Sequence, residues 1–378
     1  MRQTTACAGA QRAGFRVPAL RPALQGLPPI EHEEPGTTHG NRGSGLIVAV
    51  WTIALLSILV LSFTFDVHLE TKVLSVTRKR HQAEYLSMSG ITIAEMLMDK
   101  QSGISGGEAP EAVADDRWYQ SALQLKRGKP VSGLVERLGE GYIRVDIEPE
   151  PGRRNVNKLT DEDWERILRV GGVPEELWPV LVDSFNDWVD KDELARQNGA
   201  ESDDYYASLT PPYRTRNGPV DTVRELLLVK GFNETILSGG VLNPDAPPEH
   251  RRVLSGIQDM LTTYGDGKVN VNAAGVRVLM TLPGVDDLVA NAIIEERERA
   301  VSSGANGIPE TGFKSVQDLM ARIPGLDPTV VNLATTVSSV YRVTAVGQVG
   351  RVTRRIWAIV QWDGTRKKLT ILQWREET

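Results

Sequence analysis

From Gly45 to Phe65 the chain reads GLIVAVWTIALLSILVLSFTF, an apolar run without one charged residue. As a helix rising 1.5 Å per residue it spans roughly 30 Å, the thickness of a bilayer's hydrocarbon core. A helix inside a soluble protein keeps one polar face, and this run has none. The pattern therefore predicts a transmembrane helix in place of a soluble core helix. It also exceeds the roughly 7–15 apolar residues of a secretory signal, and the residues that follow, Asp66 to Thr71, lack a small-residue cleavage pattern. Basic residues counted alone would put the N-terminus outside. Arg42 precedes the run, whereas Lys72, Arg78, Lys79 and Arg80 follow it.

The helical pattern continues past the membrane. No proline occurs between Val67 and Lys100, the first glycine is Gly90, and Val67, Leu74, Ala83, Leu86, Ile93, Ala94 and Leu97 recur at helical spacing. One long helix is expected, its second half amphipathic and packed on a sheet of the same chain. Residues 101–130, rich in Gly, Ala, Glu and Ser, read as loop. Strands are expected at 142–148, 341–349, 352–362 and 369–374, with Asp363-Gly364 as a hairpin turn between the last two.

Between the first strand and the others lies a long helical middle with a weak internal repeat. Asn155-Val-Asn157 leads through Trp164-Glu-Arg-Ile-Leu168 to Gly171-Gly-Val-Pro-Glu-Glu-Leu177; Asn270-Val-Asn272 leads through Val278-Leu-Met280 to Pro283-Gly-Val-Asp-Asp-Leu288. Val223-Arg-Glu-Leu226 with Gly231-Phe232, and Val316-Gln-Asp-Leu319 with Gly325-Leu326, share the same helix–glycine–apolar pattern. These are helix–hairpin–helix-like units, each glycine placed to cap a helix with positive φ. Such units often bind DNA phosphates through the backbone of a Gly-x-Gly turn. In LPGVDD and IPGLDP the second glycine position holds Asp, which repels phosphate, and the net charge of −6 offers a polyanion no attraction. Helical packing is the favoured reading and nucleic-acid binding is not.

Catalytic constellations are missing. There is no Walker A loop or HExxH; His39, His68, His81 and His250 are scattered, and His32 falls ahead of the apolar run. The chain reads as a non-enzyme. Its one cysteine, Cys7, permits no internal disulfide. A metal or a partner subunit is then the available staple.

An acidic stretch supplies a candidate. Asp183, Asp187, Asp190, Asp192, Glu193, Glu201, Asp203 and Asp204 lie close together, with no EF-hand spacing. A solvated acidic surface is the plain alternative. Asn198-Gly199 would bend the chain so that Glu201 to Asp204 fold back towards Asp190 and Asp192. Carboxylates so crowded repel unless a cation neutralises them, and an all-oxygen set indicates Ca²⁺ rather than Zn²⁺. Asp187, Asp190, Asp192, Glu201, Asp203 and Asp204 are the candidate ligands. Tyr205, Tyr206 and Tyr213, beside Pro211-Pro212, read as a turn packed by aromatic rings.

Several pieces in order carry a resemblance. Arg42-Gly43 stands ahead of Ser44-Gly-Leu-Ile-Val48 and the apolar run, like a class III prepilin signal. Then come Asp187-Trp-Val-Asp190-Lys-Asp192, Asn198-Gly-Ala-Glu201, Asp203-Asp-Tyr-Tyr206 and Pro211-Pro-Tyr213. Val223-Arg-Glu-Leu226 with Val229-Lys-Gly231, and Val269-Asn-Val-Asn272, complete the series. From about residue 42 to the end the chain resembles the minor pseudopilin K family of type II secretion systems. Residues 1–41 lie outside the resemblance and are long for a prepilin leader, which leaves the start at Met1 open.

The resemblance implies an α+β fold: a long N-terminal transmembrane and amphipathic helix on a small antiparallel, pilin-like sheet, with a large inserted helical domain. The expected division is a leader at 1–43, a transmembrane helix at 44–65, pilin-like helix, loop and first strand at 66–150, an inserted helical domain at 151–268, a helix–hairpin–helix-like segment at 269–340, and C-terminal strands at 341–378. It further implies cleavage between Gly43 and Ser44 by a cytoplasmic prepilin peptidase, with methylation, which overrides the adverse charge count. The region beyond the anchor would then lie in the periplasm. Most pseudopilins carry Glu where this chain has Val48, and a subunit without that carboxylate need not satisfy a neighbour above it, which suits a filament tip. The implied partners are the I and J minor pseudopilins and the inner-membrane secretion platform; calcium is bound by some members. The competing expectation is a membrane-tethered DNA receptor of a competence-type system, and a weaker one is a membrane-anchored hydrolase.

Overall fold

The computed structural model describes residues 44–104, 116–245, 247, 251–299 and 311–377. The chain divides into two compact units, one up to His68 and one from Leu69 onward. Helix α1 (Ser44–Gly103) runs unbroken through the apolar run and the stretch after it. Up to His68 its side chains are exposed on every face, Leu46, Trp51, Leu56 and Phe63 among them. The most apolar stretch has a mean hydropathy of 2.7, and among the described residues α1 is the one helix with the length and composition to cross a membrane.

Beyond Leu69 the expected amphipathic half behaves as two segments. Val67 and Leu74 are exposed, as is every residue from Leu69 to Arg80, whereas Ala83, Leu86, Ala94 and Leu97 are buried and Ile93 is half-buried. The change comes where the sheet begins to cover the helix. The region read as loop also holds a helix, α2 (Arg117–Lys126). Asp116 caps it, accepting from the Trp118 N–H at 2.9 Å, and Ala122 and Leu125 face the core. A Gly- and Glu-rich average over 101–130 conceals this short amphipathic segment.

Strand β1 (Val131–Leu138) was not expected, and β2 (Gly141–Pro149) was. A register shift between Val131 and Leu134 breaks the alternation in β1 that would have marked it. The helical middle then contains β3 (Arg154–Asn155), α3 (Asp161–Gly171), α4 (Trp178–Val189), α5 (Glu234–Ser238), β4 (Gly240–Leu242), β5 (Arg252–Leu254) and β6 (Leu261–Thr262). It continues through β7 (Val269–Asn270), α6 (Val276–Leu279), α7 (Asp287–Glu298), α8 (Val316–Arg322), α9 (Val330–Leu333) and β8 (Ala334–Thr335).

The weak sequence repeat is a structural one. β3 pairs with β6, and β7 with β8, each a two-residue parallel pair. Asn155 and Asn270 each turn the chain by accepting, at 3.0 Å, from the N–H two residues on. Gly172, Gly231, Gly284 and Gly325 follow the corresponding helical segments with φ of 79°, 88°, 67° and 88°, a region that favours glycine. The segment before Gly231, Val223–Leu228, winds as a 3₁₀ helix. The two copies share one core, and two arginines of the first reach the second: Arg154, paired with Asp163 at 2.5 Å, and Arg166 both donate to the Thr281 carbonyl.

The chain returns to the sheet through β9 (Val340–Val349), β10 (Val352–Asp363) and β11 (Lys368–Glu377). The order is β1-β2-β9-β10-β11, with every neighbouring pair antiparallel. Because β2 and β9 are hydrogen-bonded neighbours, the whole helical middle is an insertion between adjacent strands. The last hairpin is wider than Asp363-Gly364 suggested. Asp363 pairs with Lys368, residues 364–367 bridge, and the Asp363 carboxylate accepts from the Thr365 and Arg366 N–H groups. α1 lies on the sheet over Gly347, where the backbone at Ala83 and Ser87 comes too near to admit a Cβ. Ala83, Leu86, Ala94, Leu97 and Met98 form one core with the inner face of β2, β9 and β10.

Candidate metal centre

The acidic residues are positioned by the end of α4 and the loop that follows it. α4 stops at Val189, and Asp190 is its C-cap in extended conformation. The chain then folds back through Asn198-Gly199. Asp183 Oδ2 accepts from the Asn198 N–H at 3.1 Å and its side-chain amide at 2.9 Å. Gly199 packs against the Asp187 carboxylate with no room for a side chain. This bend delivers Glu201 to Asp190 and Asp192, one carboxylate oxygen from each lying within 4.8 Å of the others.

The six candidate ligands do not form one set. Asp190, Asp192 and Glu201 converge. Asp187 is fully buried, and its oxygens accept from the Arg196 N–H at 3.1 and 3.2 Å and from the Ala200 N–H at 2.8 Å. Asp204 accepts from the Glu201 N–H at 2.8 Å and so braces the turn. Asp203 is exposed and stands outside the convergent group.

Two oxygens distinguish this cluster from a solvated acidic surface. Asp190 Oδ1 and Glu201 Oε1 are buried and have no hydrogen-bond partner among the described residues. Glu201 is 3% exposed, and its other oxygen accepts from Thr215 Oγ1 at 3.3 Å. Burial, with Asp187, Glu193 and Asp190 nearby, raises the Glu201 carboxyl to about 7. Burial, with Asp192 and Asp187, also raises Asp190. Asp187 is raised by burial in spite of its two N–H donors. A buried anionic oxygen without a donor is costly, and a hard cation is the group that satisfies several together.

Two further residues belong to this neighbourhood. Glu193 adds repulsion at Glu201, and its Oε1 accepts from the Asn217 amide at 3.0 Å. Asn217 has φ of 52°, and its carbonyl oxygen Oδ1 is buried without a partner. Its chief sequence signal was Asn217-Gly218, a turn dipeptide. Beneath the loop, Trp188, Tyr206 and Tyr213 pack ring to ring at 5.2–6.1 Å, with Tyr205 against Tyr206 at 5.1 Å.

At the processing site, Gly43 lies outside the described residues, Ser44 begins α1, and Val48 is exposed on its first turns. At the phosphate-binding position of the hairpin turns, Asp286 accepts from the Val289 N–H at 2.8 Å and Asp327 from the Thr329 N–H at 2.8 Å. Carboxylates already occupy the N–H groups that a phosphate would need.

A family model described as "Type II secretion system (T2SS), protein K" matches residues 147–239. The type II secretion system protein K of Pseudomonas aeruginosa is 25% identical over 313 residues, covering 80% of this chain and 83% of that protein. That of Aeromonas hydrophila is 23% identical over 355 residues, covering 88% and 96%. A chain in the crystal structure of the GspK-GspI-GspJ complex from enterotoxigenic Escherichia coli shares the fold. Its TM-score is 0.55 at 14% identity, covering 81% of this chain and 99% of that one.

Proposed function

As the chain belongs to the type II secretion system protein K family, we propose that it is a minor pseudopilin at the tip of the pseudopilus, where it initiates or caps the filament. The supporting observation is one unbroken helix leading from a lipid-length apolar run onto a pilin-like sheet that carries a large helical insertion. The chain crosses the inner membrane once and folds in the periplasm. It assembles with companion I and J subunits, on the analogy of the solved complex, and is handled by the prepilin peptidase and the inner-membrane platform. Val48, apolar where a neighbour would require a carboxylate, fits a subunit with nothing above it. The role is structural, not catalytic.

Asp190, Asp192 and Glu201 would hold a Ca²⁺ ion, with the buried Asn217 carbonyl as a neutral neighbour. The ion would neutralise the crowded carboxylates and staple the end of α4 to the 198–204 turn in a chain whose single cysteine is Cys7. The DNA-receptor reading is weaker, because Asp286 and Asp327 fill the anion-binding positions.

Processing tests the assignment. Expressed with an active prepilin peptidase, the chain should begin at Ser44 by mass spectrometry, and its removal from the host should stop protein export across the outer membrane. Retention of residues 1–43 beside a working peptidase would contradict it.

A further inference from the structure

β9 runs against the direction of α1: Ala345 lies on Gly90, and Gly347 lies on Ala83 and Ser87. The β9–β10 turn at Gly350-Arg351 therefore stands at the end of the sheet towards the start of α1. The β1–β2 turn stands there too, because Gly141 abuts Leu86. At about 3.3 Å per strand residue and about 1.5 Å per helix residue, Arg351 comes roughly level with Arg78. This end of the sheet is basic. Lys72, Arg78, Lys79 and Arg80 lie on the helix, Arg137 beside one turn, and Arg351 and Arg354 at the other. All are exposed except Arg354, which is half-buried, and none forms an ion pair among the described residues. From Leu69 onward the carboxylates at this end are Glu70, Glu84 and Glu140, and Glu84 already faces His81 at 3.5 Å. Arg355, further up β10, is held by Glu377 at 3.5 Å. The local excess is positive in a chain whose net charge is −6.

We propose that this basic end docks on the anionic phospholipid headgroups of the membrane in which the chain is anchored. The proposal rests on the anchored reading above and goes beyond it. Leu69 follows the apolar run by four residues, so the surface is tethered close to one leaflet. Along the helix Lys72 lies about 10 Å past Phe65 and Arg78 about 20 Å, and a tilt within the ordinary range for a membrane helix lowers the turns to the headgroups. Clustered Lys and Arg beside a membrane helix are drawn to anionic lipid across roughly one Debye length, about 8 Å. The guanidinium fork also matches phosphate. Tyr142 sits across from Arg137 and is 51% exposed, a ring of the kind that settles at headgroup level. Arg78, Lys79 and Arg80 are consecutive and so point to different sides of the helix. Together with two turns, they suit a plane of phosphates, whereas a single helix or strand of a protein meets one side. The basic residues that count against the orientation of the anchor thus gain a use on the exported side.

The test uses the full-length chain carrying Cys7→Ser, in nanodiscs of phosphatidylcholine alone or with phosphatidylglycerol added. A fluorophore at Gln348→Cys, beside the β9–β10 turn, is read against a quencher fixed to lipid headgroups. Thr365→Cys, in the turn at the opposite end of the sheet, is the control. Quenching at Gln348 should be several-fold greater with phosphatidylglycerol and should fall in high salt, while Thr365 should not respond to either. Arg351→Glu with Arg354→Glu should remove most of that gain. Arg351→Lys with Arg354→Lys should keep it, which separates loss of charge from loss of fold. Equal quenching in the two lipids overturns the proposal and leaves the basic end to an acidic protein. A gain that survives the double Glu variant in a folded chain overturns it as well; in both cases the anchored reading stands. A folded chain that never enters the discs overturns both.

Discussion

Asn272 and Phe313 hold each other by two hydrogen bonds: the Phe313 N–H donates to Asn272 Oδ1 at 2.9 Å, and Asn272 Nδ2 donates to the Phe313 carbonyl at 2.9 Å. Asn157 and Val220 make the same exchange in the other copy, at 2.8 and 3.0 Å. Each Asn is the third residue of an Asn-Val-Asn triplet, so three residues start a unit and bind its later half. Asn272 also donates to the Arg127 carbonyl at 2.8 Å, which ties the insertion to the linker before β1.

Asn272→Ala should therefore cost more than Asn157→Ala. Each buried backbone group left unpaired costs about 1–3 kcal/mol. Chemical denaturation should show the larger loss at Asn272, and equal losses would mean the linker contact contributes nothing.

Calcium should stabilise the folded region, because binding to the native state alone adds about 2.7 kcal/mol at a hundredfold excess over Kd. Melting curves with Ca²⁺ and with chelator should separate for the natural chain. They should coincide for Glu201→Gln, which keeps the side chain's shape and removes one charge.

The metal-free protein should show a pH dependence traceable to Glu201. Its carboxyl ordinarily titrates near 4.5 and in the fold near about 7, so over that window the native state binds more protons than the unfolded chain. Stability from this group is complete below the lower value and is lost as pH rises through the upper one. In chelator, the advantage of Glu201→Gln over the natural chain should grow from about pH 5 to about pH 7.5 and then level off. A gap that stays constant across this range would show that Glu201 is not held protonated.

The buried ion pair of the first copy makes a separate prediction. Arg154 and Asp163 are both nearly excluded from water, and burial opposes ionisation at Asp163, yet Arg154 and Arg166 together hold its carboxyl below the ordinary value. Asp163→Asn should destabilise the chain by about 3–5 kcal/mol, as removal of one partner from a buried pair does. A loss under 1 kcal/mol in urea unfolding would mean that water reaches the pair.

What could be read from residue order alone follows from how local each cause is. α1 was legible because apolar runs and 3.6-residue spacing are local properties. β2, β9 and β10 were legible because their burial alternates along the strand. β1 escaped because its bulge spoils the period, and α2 because its few core contacts sit at the end of a polar stretch. In the acidic cluster, the return of Glu201 to Asp190 and Asp192 was signalled by Asn198-Gly199. The separation of Asp187 and Asp204 from that group depends on which backbone N–H groups the turn presents, and composition carries no trace of that. Asn217 enters from a later loop, so only the folded chain brings it beside Glu193.

Stoichiometry bears most directly on the central claim. The full-length chain, co-expressed with its companion I and J subunits and purified in detergent through a tag on this chain alone, should bring down both companions in equal amounts as one sedimenting species. Recovery of this chain by itself, from cells in which both companions are folded and membrane-inserted, would contradict the account.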